Sequence, residues 1–141
     1  MRIVTGKLKG SNLFMPKDKN TRPLKDVARE SIFNLLIHSN KILFEMANTN
    51  ILDLYAGTGS FGLECLSRDA ENVYFVEKNR SAIDILKKNI EKLKVENKTK
   101  ILIEDVFSLI EKSSNLEFKF DLIFCDPPFK DKNVDKLIKL I

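Results

Sequence analysis

A doubly wound α/β fold with a parallel, Rossmann-like sheet is what this 141-residue sequence predicts, on three observations. From residue 50 onward, short apolar runs alternate with segments of helical periodicity. The runs are nearly continuous in apolar character, as in parallel strands buried on both faces. A glycine-rich turn joins the first run to the helix that follows it. The length suits one domain and leaves no room for two good cores.

Each element has its own warrant. RIVTG and SNLFM, with Gly6 and Gly10 between them, read as a small N-terminal hairpin. A polar stretch ending at Pro23 follows, and Asp26 then opens a helix over about 26–38, with Val27, Ile32, Phe33, Leu35 and Leu36 near helical spacing. The strands are ILDLY (51–55), VYFVE (73–77), KILIED (100–105) and FDLIFCD (120–126). Helices are expected at FGLECLSR, at SAIDILKKNIEKL, around 106–112 and from about 131. We divide the chain into a basic, RNA-contacting extension over 1–40 and a cofactor-binding domain over 41–141.

Composition narrows the class. With 43% hydrophobic and 31% charged residues the chain is globular. Its net charge of +4 is unevenly placed. Residues 1–25 carry Arg2, Lys7, Lys9, Lys17, Lys19, Arg22 and Lys25 against Asp18 alone, a net +6, while the rest carries −2. The segment fits a polyanion, with Arg2, Lys7 and Lys9 as phosphate contacts. No apolar run approaches the roughly 18 residues of a membrane helix, and the N-terminus has no signal-peptide stretch. Cys65 and Cys125 lack metal-ligand spacing and His38 is the sole histidine, so free thiols, no metal and a cytoplasmic setting are expected.

The turn after the first strand carries Gly57, Gly59 and Gly62 in G-x-G-x-x-G spacing, and Glu77 stands 20 residues beyond Gly57. Both fit a nucleotide fingerprint, the acid meeting ribose hydroxyls, although such glycines also serve plain helix–strand packing. Asp53 helps to decide the ligand class, its other reading being a loop-capping aspartate with no ligand. At the end of the first strand it would repel a pyrophosphate on the helix N-terminus and favour an ammonium and a sulfonium, as in S-adenosylmethionine, over NAD. Asp105 and the backbone of Val106 are placed for an adenine edge, and Asp105 equally suits capping the next helix.

Asp126-Pro127-Pro128-Phe129 follows the fourth strand. Two prolines fix the backbone and remove donors, leaving carbonyls as acceptors beside a carboxylate. An aromatic ring follows that can stack on a base. Together these suit an exocyclic amine on a nucleobase, its nitrogen held for in-line methyl transfer; the other reading is a Pro-Pro turn with Phe129 in the core.

Asp53-Leu-Tyr-Ala-Gly-Thr-Gly-Ser, Glu77 and Asp126-Pro-Pro-Phe resemble the class I S-adenosylmethionine-dependent amino-methyltransferases. Met1-Arg-Ile-Val-Thr-Gly-Lys-Leu-Lys-Gly, Thr21-Arg-Pro and Asp26-Val-Ala-Arg-Glu-Ser-Ile-Phe-Asn34 are similar to the RsmD family, which methylates a guanine N2 amine in small-subunit (16S) ribosomal RNA. The resemblance implies that Asp53, Tyr55, Ala56, Gly57, Thr58 and Gly59 cradle the methionine part of the cofactor. It further implies that Glu77 holds the ribose, that Asp105 to Phe107 lie near adenine, and that Asp126, Pro127, Pro128 and Phe129 bind the guanine. Arg22, Asp26, Arg29 and Glu30 match its N-terminal motif, read as shaping the site mouth and contacting RNA; the two arginines equally suit ion pairs with Asp26 and Glu30. Two departures stand out. Leu24-Lys25 replaces the usual Thr-Thr or Thr-Ser, Lys25 adding a charge for phosphate. The four strands are also fewer than the family's, so its last strands are missing here, as in a fragment or a fold completed another way.

The expected partner is ribosomal RNA or an assembling small subunit. Rival readings keep the chemistry on a DNA amine or a protein glutamine, or make the chain an inactive RNA-binding fragment. An NAD-dependent enzyme is disfavoured by Asp53.

Overall fold

The computed structural model describes residues 1–17, 26–112, 119–128 and 133–141. In chain order these form α1 (Asp26–His38), β1 (Asn50–Leu54), α2 (Ser60–Ser67), β2 (Asn72–Val76), α3 (Arg80–Leu93), β3 (Thr99–Leu102), α4 (Val106–Lys112), β4 (Leu122–Cys125) and α5 (Val134–Leu140). The unanticipated element is a 3-10 turn at Glu96–Lys98. The strands run parallel in the order β3-β2-β1-β4. Hence the chain steps outward from β1 to β3 and then crosses back to the other side of β1.

Strand alternation sorts the core into two layers. Ile51, Val73, Phe75, Leu122 and Phe124 face one cluster, shared with the N-terminal arm, α1, α2 and α3. Leu52, Leu54, Val76 and Cys125 face the other, covered by Val106 and Leu109 of α4 and Leu137 of α5. The first layer is tied by stacked rings: Phe61 lies between Phe33 and Phe124, with centroids 4.9 and 3.7 Å away. Arg68 sits 4.2 Å over the Phe33 ring. Among the described residues no helix is long and apolar enough to cross a membrane.

The N-terminal arm turns back on itself as expected. Arg2 bridges Asn12 antiparallel, and Ile3 and Leu13 donate to Ser11 and Met1 carbonyls at 2.9 and 3.0 Å. Ile3, Leu13 and Phe33 lie in the same cluster as residues of α2 and α3, so the arm and α1 share that core. Polar bonds fix the arm as firmly. Buried Glu64 accepts from the Val4 and Thr5 N–H groups at 2.8 and 2.9 Å. It also accepts from Arg68 Nε at 3.1 Å and faces Arg29 Nε at 3.8 Å. Ser67 takes the Leu8 N–H on its hydroxyl at 2.9 Å and the Lys7 N–H on its carbonyl at 2.7 Å. Gly6 makes this contact attainable: a Cβ there would stand 1.8 Å from the Ser67 carbonyl oxygen.

Arg29 requires a correction. Its side chain is 0% exposed, so it is not available to RNA. Its guanidinium donates to Asp26 at 3.0 Å and to the Arg2 carbonyl, and stands against Glu64. The ion pair with Asp26 is the alternative that its spacing allowed, and burial is what decides between them.

Removing Glu64 leaves Arg68 Nε and two amides without their acceptor and takes a buried counter-charge from beside Arg29. Glu64→Ala is therefore expected to lower unfolding free energy by about 3–5 kcal/mol and to speed amide exchange at Val4 and Thr5. Denaturant titration with exchange measurement checks this; a loss under about 1 kcal/mol with unchanged exchange would contradict it.

Candidate functional site

Parallel strands place all their carboxyl ends on one side of the sheet. The crossing from β3 to β4 makes a topological switch point beside β1, where ligands of such sheets bind. Four acids follow from this topology: Asp53 in β1, Glu77 just after β2, Asp105 beyond β3 and Asp126 just after β4.

Asp53 is 2% exposed, and its Oδ2 accepts the Gly62 N–H at 3.0 Å. Burial pushes its carboxyl up to about 7; the Gly62 bond opposes the rise, and the charges of Asp126 and Glu77 add to it. Among the described residues no basic side chain forms an ion pair with Asp53. Such a group is an uncompensated buried acid that a cationic ligand would relieve.

The glycines divide their work. A Cβ on Gly59 would meet Leu86 at 2.3 Å, and one on Gly62 would meet Phe75 at 2.4 Å, so both serve close packing. Gly57 is different: at φ +56° it faces open space, and a Cβ there would meet no atom within 4 Å. Tyr55, at φ +59°, adds a left-handed residue to the same turn. Ala56 and Thr58 are buried, the former donating to the Val76 carbonyl at 3.0 Å. A ligand in this loop therefore meets the backbone near Gly57.

Glu77 borders that space. Its Oε2 accepts the Gly57 N–H at 2.9 Å, and its Oε1 accepts from the Lys78 and Asn79 amides at 2.9 and 2.8 Å. Asp105 caps α4 through the Phe107 and Ser108 amides at 3.0 and 3.3 Å, and its other oxygen meets Lys78 Nζ at 2.7 Å. The Lys78 bond, foremost, holds its carboxyl below the usual range. Capping, the alternative role open to Asp105, is thus in use. The Val106 side chain is buried in the second core layer, leaving its backbone for any ligand.

Asp126 is solvent-accessible, yet loss of water around its carboxyl raises its pKa. Pro127 is half-buried and Pro128 exposed. Phe129, Arg22 and Lys25 lie outside the described residues. On the arm, Arg2, Lys7, Lys9 and Lys17 are exposed, Lys7 pairing with Asp69. Among the described residues no three His, Cys, Asp or Glu side chains are grouped to hold a metal.

Sequence reasoning missed Asn89. Fully buried in α3, it joins the arm to the glycine loop by bonds to Phe14 and to the Thr58 carbonyl. The available signal was an amide on the same face as Leu86, Ile90 and Leu93.

The whole chain, residues 1–141, matches the family described as conserved hypothetical protein 95. It is 31% identical over 145 residues to the ribosomal RNA small subunit methyltransferase D of Haemophilus influenzae, covering all of this chain and 70% of that protein. The solved structure of yhhF from Escherichia coli superposes with a TM-score of 0.81 at 28% identity, over 99% of this chain and 70% of that one. The SAM-dependent methyltransferase from Agrobacterium tumefaciens shares the fold at 23% identity and a TM-score of 0.60, over 79% of this chain and 34% of that one.

The Asp53 carboxyl also links the site to stability. Folding raises its pKa from 3.8 to about 7, so the folded state holds the proton more tightly than the unfolded chain. Asp53 therefore costs stability as pH rises through that window. Asp53→Asn keeps an acceptor for the Gly62 N–H and removes the buried charge. It is expected to stabilise the protein by about 1–2 kcal/mol at about pH 8 and by little at about pH 4. Thermal unfolding at both pH values checks this, and an equal or lower midpoint for the variant at the higher pH would contradict it.

Proposed function

The chain belongs to the family described as conserved hypothetical protein 95, and from that premise and the acids at its strand ends we propose that it is an S-adenosylmethionine-dependent ribosomal RNA methyltransferase acting on a guanine N2 amine. The observation that carries this reading is the buried, uncompensated carboxylate of Asp53 beside the open backbone at Gly57, with the Asp126-Pro127-Pro128 turn on the neighbouring strand. The similarity to a small-subunit rRNA methyltransferase supports the RNA substrate.

The residues present suit the cofactor. Asp53 offers negative charge to its cationic end, Gly57 leaves room for its close approach, and Glu77 stands where ribose hydroxyls would be met. Lys78, already on Asp105, borders the adenine side. When bound, the cofactor supplies an electrophilic methyl group on a sulfonium.

The chain's own groups do the positioning. Asp126 and the carbonyls of the proline turn accept the two hydrogens of the guanine amine and so fix the direction of its lone pair. Phe129 is assigned the stacking role that its place in the tetrapeptide suits. Once methylated by the group that the cofactor would supply, the amine would have a proton to give up. Asp126, made more basic by partial desolvation, is the acceptor within reach of that turn. Reaching the amine requires an unpaired or flipped guanine.

Arg2, Lys7 and Lys9 hold RNA phosphates, joined by Arg22 and Lys25. Binding then weakens steeply with salt. The setting is the cytoplasm, where ribosomal RNA or an assembling small subunit is the partner, and no metal enters the chemistry.

Labelled methyl groups are expected to pass from S-adenosylmethionine to small-subunit RNA, with N2-methylguanosine recovered after digestion to nucleosides. Label on adenosine or cytidine, or none from protein that binds the cofactor, would overturn the reading. Asp126→Ala should lower kcat by about a hundredfold or more with cofactor Kd changed by less than about threefold. A fall in cofactor affinity alone would remove Asp126 from the chemistry.

A further inference from the structure

The glycine loop does not hold its own shape. Tyr55, Gly57 and Gly59 have φ of +59°, +56° and +84°, three left-handed positions within five residues. A turn of that kind persists when its surroundings over-determine it. One support is Leu86 of α3, which fills the space where Gly59 lacks a side chain. Beside the bonds from Ala56 to Val76 and from Gly57 to Glu77, a further support is Asn89, one helical turn further along α3, whose Nδ2 donates to the Thr58 carbonyl at 3.0 Å.

The same amide holds the arm. Asn89 Oδ1 accepts the Phe14 N–H at 2.7 Å, and Nδ2 donates to the Phe14 carbonyl at 3.2 Å. Both donors and one acceptor site of a fully buried side chain are committed to two segments outside its own helix. A buried amide carries a desolvation cost that only such bonds offset. Met15 extends the contact, its sulfur 4.0 Å from the Thr58 hydroxyl. Nearby, Lys92 of α3 bonds the Asn12 carbonyl at 2.6 Å and lies 4.8 Å over the Phe14 ring. Residues 12–15 are thus seated on α3 and the loop together. The arm also presents the exposed charges of Arg2, Lys9 and Lys17.

We infer that Asn89 is a positioning residue that couples the RNA-facing arm to the cofactor loop, so that RNA and S-adenosylmethionine bind with positive cooperativity. Phosphates that draw on the arm bear, through the Asn89 amide, on the Thr58 peptide of the loop, and a cofactor seated there bears on the arm through the same bonds. The coupling is reciprocal, each ligand strengthening the other by the same factor. This inference rests on the functional reading above.

The test is calorimetric titration of S-adenosylmethionine into the full chain, with and without a saturating small-subunit RNA transcript, at one salt concentration. In the wild type, RNA is expected to tighten cofactor binding about 5–20-fold. In Asn89→Ala the ratio falls to within about twofold of unity. Asn89→Asp keeps an acceptor for the Phe14 N–H but loses the donor to Thr58, and it loses the coupling as well. Leu137→Ala, in the core layer on the opposite face, destabilises the fold without touching Asn89 or the arm and keeps the wild-type ratio. Wild-type protein that binds cofactor equally with and without RNA overturns the inference alone, as does a ratio unchanged in either Asn89 variant or lost equally in Leu137→Ala. Wild-type protein that binds no cofactor overturns the functional reading and this inference with it.

Discussion

The hydrogen bond from the Gly62 N–H to Asp53 Oδ2 ties the central strand to the helix above it, and the site is built around that bond. It exists because Gly62 has no side chain: a Cβ would stand 2.4 Å from Phe75 and 2.7 Å from Val73, forcing α2 off the sheet. Close approach of α2 buries Asp53, and burial raises its pKa to about 7. A proton or a cation must then compensate the carboxylate. The same packing that completes the core therefore prepares the site for a positively charged ligand, at a cost in stability in the unliganded protein.

Glu64 performs a parallel task for the arm. Facing Arg29 and Arg68 and accepting from Val4 and Thr5, it makes the basic N-terminal segment part of the fold. Arg2, Lys7, Lys9 and Lys17 are thereby carried on an arm that reaches the glycine loop through Met15. The basic arm and the glycine loop share α2 and α3 as their common support.

The strands and helices were legible because apolar runs and helical spacing depend on local sequence. The helix expected over 26–38 is α1, and each expected strand overlaps its observed counterpart to within one to three residues at its ends. The ends of the strands shifted because twist and pairing, not hydrophobicity, decide where a ladder stops. The four acids were legible for a related reason: parallel topology turns strand ends in sequence into neighbours in space. What escaped were polar residues on apolar helix faces. Glu64 between Leu63 and Cys65, and Asn89 beside Ile90, read as ordinary helix polar residues until the arm supplied their partners. Arg29 was misplaced for the converse reason, since a motif match records no burial. Phe33, one turn later on the same buried face, was the clue.

The central claim is that a buried carboxylate selects a cationic cofactor, and the most direct measurement is the pH dependence of cofactor affinity. Calorimetry with S-adenosylmethionine should give binding about tenfold tighter at about pH 8 than at about pH 6, because Asp53 must lose its proton to pair with the ligand. NAD should not bind at either pH. Affinity for S-adenosylmethionine that is independent of pH across this range, or NAD binding of comparable strength, would contradict the account.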